Sequence, residues 1–292
     1  MNRNPVWRPL EVNVMPYSPT QVIRPPSFSF GTVGQHLTRL MQFRDLLFAL
    51  TLHRINVRYK QSILGYCWAI LHPILLMLIY TVIFSRFVRV PTDGVPYTLF
   101  AFSALLPWTF FSSGMSGATS GLVSHSHLLL KVYFPREILP LSYVFAALAD
   151  FVLASFVLAT LMFYYGVSIT ANILWAIPAI LTLTVFLTGL ALFASAFQVR
   201  FRDVGMALPL VLQLWMFATP VVYSLASVPT KLRFLYDFNP MVGIVETFRG
   251  AVLHGASADW GLLGGAFAVS AMVTIGAYVW FKHVETTFAD II

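Results

Sequence analysis

The sequence predicts an all-α integral membrane protein, and three observations carry that prediction. Stretches of about 20 apolar residues recur along the chain, which is the length that a helix needs to cross a hydrocarbon core of roughly 30 Å. The composition is 58% hydrophobic and 10% charged, against roughly 25% charged in soluble domains. The mean hydropathy is +0.79. A membrane barrel would instead show alternating strands of about ten residues, so helices are expected.

Six transmembrane helices are predicted from these stretches. The predicted spans are 66–87, 97–119, 138–164, 173–197, 206–225 and 261–281. An even number of spans places both termini on one side of the membrane. Thirteen of the 18 Lys and Arg residues fall on that side, so the positive-inside rule predicts cytoplasmic termini. The net charge of +7 is then a topology signal, and we expect no nucleic-acid partner.

The two ends of the chain differ from the predicted transmembrane domain at 39–285. Residues 1–38 contain six prolines among polar residues and no apolar core of a signal peptide, which predicts a disordered cytoplasmic tail. Residues 286–292 are predicted to form a short cytoplasmic tail. The single cysteine, Cys67, predicts neither an intrachain disulfide nor a metal site.

The segment before the first span has the pattern of an amphipathic helix. Its apolar residues recur at steps of three and four and form one stripe: Phe48, Leu52, Ile55, Tyr59 and Ile63. Its basic residues are Arg44, Arg54, Arg58 and Lys60. A helix of this kind lies in the membrane interface rather than across it. Whether its polar face also docks a cytoplasmic partner is left open by the sequence.

Two connections between spans also predict short helices. The 120–137 connection has room for one helix that ends before Pro135. His125 and His127 within it are two residues apart, so a shared metal site is not expected. The 226–260 connection, on the opposite side, is semi-apolar and predicts short amphipathic or re-entrant helices. These helices either close a pore or lie at the surface without a gating role.

Asp150 is an acidic residue deep inside a predicted span. A charge at this depth costs at least about 2.5 kcal/mol, so Asp150 should face protein or water. A functional role and a fixed bond to a neighbouring helix both remain open for it.

Enzymatic motifs are absent from the sequence. There is no G-x-x-x-x-G-K-[ST] loop, so the chain is not expected to bind and hydrolyse ATP itself. Neither G-x-S-x-G, HExxH nor a paired-carboxylate cluster occurs, and no cofactor is expected. Energy for transport would then come from a partner protein.

Four sequence segments resemble those of a known family. These segments are Val57–Pro73, Lys131–Pro140, Arg200–Gly205, and the pair Thr219–Tyr223 and Asn239–Met241 with Phe248 and Arg249. In this order they resemble the polysaccharide-export permeases, the membrane subunits of type-2 ABC exporters, over about residues 40 to 285. One departure is His72, where the family more usually has Asn before Pro73.

The resemblance implies an inner-membrane permease that exports a lipid-linked polysaccharide, with O-antigen first and capsule or teichoic acid as further possibilities. It implies a permease homodimer with two separate ATPase subunits, which would bind the ATP and Mg. It also implies a coupling helix within 122–137, whose contacts with the ATPase are Lys131, Tyr133, Phe134, Arg136 and Glu137. The 39–60 helix would lie beside it. Gate helices in 226–258 would close the outer end, with Tyr223, Asn239, Pro240 and Arg249 in the gate region.

Aromatic side chains in the first two spans suggest a lining for a polymer. A sugar chain has polar edges and apolar C–H faces, so aromatic rings can hold it weakly at many registers. The candidates are Tyr80, Phe84, Phe87, Phe100, Phe102, Trp108, Phe110 and Phe111.

Two alternatives remain at this stage. One is a type-2 ABC permease for a drug or another lipid. The other is a membrane-embedded transferase, but its expected acidic and His residues are dispersed here among His125, Glu137 and Asp203.

Overall fold

The computed structural model describes most of the chain after the Pro-rich segment. The described residues are Thr38, 40–60, 62–85, 91–92, 94–131 and 133–288. Within these ranges the secondary structure is α-helix with short 3-10 segments, and it contains no strand. The predicted tail up to residue 37, Phe87 and the last four residues lie outside the described residues.

The helices follow the order of the predicted segments. They are α1 (Arg44–Tyr59), α2 (Cys67–Ile83), α3 (Tyr97–Ser124), α4 (Ser126–Lys131), α5 (Ile138–Tyr164), α6 (Ala176–Arg200), α7 (Val204–Phe217), α8 (Thr230–Asp237), α9 (Pro240–Leu253) and α10 (Trp260–Val284). Short 3-10 helices at Ala171–Trp175, Leu225–Ser227 and Glu285–Thr287 join or extend them.

Three helical segments of the described structure are long and apolar enough to cross a membrane. They are Ile138–Tyr164, Ala171–Arg200 and Trp260–Thr287. Two further apolar helices, Cys67–Ile83 and Val204–Phe217, are shorter. Helix α3 has 28 residues, but Ser, Gly and Thr in its second half lower its hydropathy. The chain is therefore an all-helical membrane protein, and the number of six crossings stays a prediction.

The fifth predicted span ends earlier than the sequence suggested. Helix α7 stops at Phe217, whereas the apolar run continues to residue 225. Pro220 explains the difference, because its nitrogen has no hydrogen to donate to the carbonyl of Met216. At 14 residues, α7 is about 21 Å long, which is shorter than the hydrocarbon core.

Helix α3 forms the centre of the bundle. It packs against α5 and α6 along much of its length, and α2, α7 and α9 also contact it. Helix α10 lies against α6 at very short range. A Cβ atom on Gly189 would come within 2.7 Å of the Thr274 Cα, and the Thr274 hydroxyl donates to the Val185 carbonyl at 2.7 Å. Small and hydroxylated residues at such contacts are typical of helix packing in membranes.

Helix α1 is confirmed as a helix, but it packs with a different face from the predicted stripe. Phe43, Leu46, Leu47 and Leu50 contact the apolar cluster at the α4 end of the bundle. Part of the predicted stripe does not take part in this packing: Phe48 and Leu52 are exposed and Ile63 lies beyond the helix, whereas Tyr59 is buried at 5% exposure. The helix thus has one apolar face toward the protein and a second, uncovered one.

Candidate functional site

The segment predicted to contact an ATPase divides into an exposed part and a buried part. Helix α4 is six residues long and ends at Lys131, which is exposed. Tyr133 is 64% exposed just beyond it. Phe134 and Glu137, in contrast, are buried at 8% and 1% exposure. In this conformation Phe134 and Glu137 contact their own chain, so they are unavailable to a docked protein.

Glu137 belongs to a buried ion cluster with the end of α10. The Lys282 ammonium donates to Glu137 at 2.8 Å and to Glu285 at 3.2 Å. The Arg136 guanidinium donates to the backbone carbonyl of Glu285. Buried charges are tolerated when they are paired and hydrogen-bonded in this way. The cluster therefore joins the segment after α4 to the C-terminal end of α10.

Arg54 lies in a second polar contact, between α1 and the α3–α4 junction. It is only 8% exposed, which corrects its assignment to an exposed basic face. Its guanidinium packs 4.0 Å above the Tyr143 ring and donates to Ser142 and to His125 Nε2, the latter at 2.8 Å. His125 Nδ1 lies 3.1 Å from the Gly121 carbonyl, so Nδ1 carries the proton and Nε2 accepts.

Burial and the adjacent Arg54 lower the pKa of His125. Both effects disfavour the imidazolium form. The structure makes His125 the acceptor that fixes Arg54.

Asp150 is tied to the end of α1. Its carboxylate accepts from the Arg58 guanidinium and, at 2.9 Å, from the Tyr59 hydroxyl. Burial, followed by the charge of Asp150, raises the pKa of Tyr59 to about 12, so Tyr59 remains a donor at neutral pH. Of the two roles left open for Asp150, the structure provides the bond to a neighbouring helix. The other two basic residues of α1, Arg44 and Lys60, are exposed.

The connection between α7 and α10, residues 218–259, contains a polar network around the broken end of α7. Arg249 is 4% exposed and donates to the carbonyls of Pro220 and Val221 at 2.8 and 3.0 Å. Its guanidinium also lies 3.9 Å from the centre of the Phe100 ring. Because these carbonyls have left the helical pattern, they need partners at this depth. Arg249 provides them.

Asn239 satisfies further groups of the same break. Its side chain accepts from the Met241 amide at 3.1 Å, as the cap of α9, and from Trp215 at 3.2 Å. Its amide group donates to the Ala218 carbonyl at 3.2 Å. Pro240 occupies the first turn of α9, where its missing donor has no cost. The Tyr223 hydroxyl donates to the Phe217 carbonyl at 2.8 Å and lies 2.8 Å from the Tyr236 hydroxyl.

The predicted aromatic lining lies mainly in the core. Phe100, Phe102, Trp108, Phe110 and Phe111 are each at most 4% exposed and contact other helices of the same chain. Tyr80 and Phe84 on α2 are half-buried. The partly accessible residues of α3 include, beside Gly117 and Val123, a row of hydroxylated ones: Thr109, Ser112, Ser113, Ser116 and Ser120. This hydroxyl row recurs at steps of three and four, a periodicity that could have revealed it in the sequence.

The chain is similar in sequence to known export and transport proteins over most of its length. Over 253 residues the chain is 32% identical to the O-antigen export system permease protein RfbA of Myxococcus xanthus, covering 86% of this chain and 96% of that protein. It is 28% identical over 249 residues to RfbA of Klebsiella pneumoniae, covering 85% and 95%. It is 26% identical over 220 residues to the polysialic acid transport protein KpsM of Escherichia coli, covering 71% and 81%.

The match to a family model covers nearly all of the chain from α1 to the end of α9. The model describes the ABC-2 type transporter and matches residues 45–253. That range includes Arg54, Asp150, Glu137 and Arg249, the residues around which the polar contacts above are built. The chain therefore belongs to the ABC-2 type transporter family.

Proposed function

We propose that this chain is the permease subunit of an ATP-driven exporter that moves a lipid-linked polysaccharide across the bacterial inner membrane. The observation that carries the proposal is the near full-length similarity to O-antigen export permeases, of which the chain covers 95% and 96%. Similarity to KpsM and to the capsule polysaccharide export inner-membrane protein CtrC of Neisseria meningitidis supports a polymer cargo. O-antigen is the first candidate, with capsule or teichoic acid next.

The proposed complex contains two copies of this chain and two copies of a separate ATPase subunit. The lack of a phosphate-binding loop in the sequence supports a division of labour in which ATP and Mg bind the partner. Both termini are placed in the cytoplasm, and the six predicted spans cross the membrane. Lys131 and Tyr133 are the proposed ATPase contacts, because they are the exposed members of the coupling segment.

The ion cluster would transmit movements of the proposed coupling segment to the other helices of the bundle. A displacement of Tyr133 would also move Arg136 and Glu137, because they follow it closely in the chain. Because Glu137 bonds to Lys282 and Arg136 bonds to the Glu285 carbonyl, this displacement would be passed on to α10. At the opposite end, α8 and α9 are the proposed gate helices, held by Arg249 and Asn239.

Purification of the tagged chain from native membranes tests the proposal. Gentle detergent extraction followed by mass spectrometry should recover a stoichiometric partner with a G-x-x-x-x-G-K-[ST] loop. The alternatives predict different outcomes. A permease for a drug or another lipid would also be purified with an ATPase, but its loss would not change the amount of surface polysaccharide. A membrane-embedded transferase would come without an ATPase.

A further inference from the structure

A polar cavity lies between the end of α1 and the helices α2, α3 and α5. Its volume is about 330 Å³, at the lower end of the range of roughly 300–1,000 Å³ that small-ligand sites occupy. The residues that matter for its chemistry are Arg58, Trp68, Ser112, Ser113, Ser116 and Asp150. The cavity therefore combines a charged pair, an indole ring and part of the hydroxyl row of α3.

The hydroxyl row can accept hydrogen bonds from a ligand. Ser112 and Ser113 each donate to a carbonyl of their own helix, at 3.4 Å in both cases. A serine oxygen has two lone pairs, so both residues can still accept while making these bonds. These serines are among the residues of α3 that neighbouring helices leave partly accessible.

The charges of the cavity favour an uncharged polar ligand. Arg58 and Asp150 form an ion pair with each other, so their formal charges cancel, and His72 is the other titratable residue of the lining. A phosphate or carboxylate ligand would lie beside the Asp150 carboxylate and be repelled by it. A ligand hydroxyl, in contrast, can donate to the carboxylate and accept from the guanidinium. Polyhydroxyl compounds meet both requirements.

Trp68 adds an apolar face to the same cavity. Its side chain is 44% exposed, and the buried Phe110 ring forms part of the wall nearby. A pyranose ring has hydroxyl groups at its edge and C–H bonds on its faces, so it matches an indole surface beside hydrogen-bonding groups. Aromatic rings with one accessible face are suited to such contacts.

We propose that this cavity is a glycan subsite that holds an uncharged sugar unit of the transported polymer. The proposal rests on the proposed export of polysaccharide and adds where the polymer touches each protomer. Trp68 contacts the C–H face of the sugar. Asp150, Arg58 and the α3 hydroxyls bind its edge with several weak bonds, so the polymer can advance without being anchored.

Cysteine accessibility in native membranes tests the subsite. Because Cys67 is the only cysteine, Cys67→Ser gives a cysteine-free background into which Ser112→Cys and Ser116→Cys can be introduced with little change in size. A small, membrane-permeant maleimide is the probe, and its labelling rate is measured with polymer synthesis switched on and off. Ser155→Cys is the matched control, since Ser155 lines an apolar groove between α5 and α6.

The proposal predicts that polymer synthesis slows the labelling of Ser112→Cys and Ser116→Cys and leaves Ser155→Cys unchanged. Equal labelling rates with and without polymer would overturn it. So would a complete lack of labelling in both conditions, because a sugar subsite must be reachable from water. Surface polysaccharide is measured in the same cells with and without the chain. If it does not depend on the chain, the export proposal itself fails; if it does, unprotected cysteines refute the subsite alone.

A blocking substitution provides a second test. Ser116→Leu places an apolar side chain at the cavity and should lower export by about tenfold. One unsuitable group in a binding pocket changes the preference for a ligand by a factor of this size. Ser155→Leu makes the same chemical change on the apolar side and should export normally. Equal export by both variants, at equal protein level and equal ATPase recovery, would contradict the proposal.

Discussion

The Lys282 ammonium lies 2.8 Å from the Glu137 carboxylate, and both residues are almost fully buried at the α4 end of the bundle. They are 145 positions apart in the chain. Glu137 follows the exposed residues Lys131 and Tyr133, and Lys282 lies in the last turn of α10. Their ion pair, together with the bond from Arg136 to the Glu285 carbonyl, joins these two parts of the described structure.

Removing one partner of this pair should destabilise the protein strongly. Lys282→Met leaves Glu137 and Glu285 without their shared cation, and breaking a buried pair in this way costs about 3–5 kcal/mol. Thermal unfolding of the detergent-solubilised protein should show a clearly lower midpoint. The double variant Lys282→Met with Glu137→Gln removes the more deeply buried of the two uncompensated charges and should recover much of the loss. A Lys282→Met protein as stable as wild type would contradict the observed pairing.

Tyr133→Ala should separate ATPase binding from stability. Tyr133 is exposed, so its truncation should weaken recovery of the ATPase and reduce export while thermal stability stays within about 0.5 kcal/mol, as for other surface substitutions. Glu137→Ala is the informative comparison, because it should lower stability first. If Tyr133→Ala retained full ATPase recovery and full export, the proposed docking contact would be wrong.

Arg249→Met should loosen the connection between α7 and α10. The substitution keeps much of the side-chain volume but leaves the carbonyls of Pro220 and Val221 without donors. Loss of hydrogen bonds to a charged group costs about 1.5–3 kcal/mol, and thermal unfolding measures it. Arg233→Met on the exposed face of α8 is the matched control and should be nearly neutral. Equal stability of the two variants would show that Arg249 does not stabilise this network.

Acidification should weaken the contact between α1 and the α3–α4 junction. The pKa of His125 is lowered in the folded protein, so the unfolded chain binds more protons as the pH falls through the ordinary value of about 6.5. The stability that His125 contributes is therefore present above about pH 6.5 and is lost as the pH falls toward its lowered pKa. His53 and His127 also lie near His125, and Arg54 is the closest cation.

The measurement is thermal unfolding at pH 7.5 and pH 5.5 for wild type and His125→Gln. The wild type should lose more stability on acidification than His125→Gln, and His127→Gln should behave like the wild type. An identical pH dependence of all three proteins would show that His125 does not contribute.

The sequence predicted the long apolar helices well because each one is an apolar run with a clear physical limit. Helix α5 begins and ends where predicted, at 138 and 164. The error at α7 has a local cause, since hydropathy continues through Pro220 although the backbone pattern cannot. The ends of the spans depend on side-chain hydropathy and on the missing amide hydrogen of proline, and both can be read directly from the sequence.

The site was less predictable because burial inside a membrane bundle depends on neighbours. Phe110 and Ser113 lie on the same helix and differ in burial because α5 and α6 cover one side of α3 and not the other. Hydropathy cannot separate a lipid-facing Phe from a core Phe. The Glu137–Lys282 pair has no local signal at all, since its partners meet only after the whole chain has folded.

Controlled depletion of the chain in the organism that encodes it tests the central claim most directly. The amounts of surface polysaccharide and of intracellular lipid-linked polymer should be followed together after expression stops. The account predicts that surface polymer falls while lipid-linked polymer accumulates inside, and that re-expression of the chain reverses both changes. Unchanged surface polymer in fully depleted cells, with no internal accumulation, would contradict it.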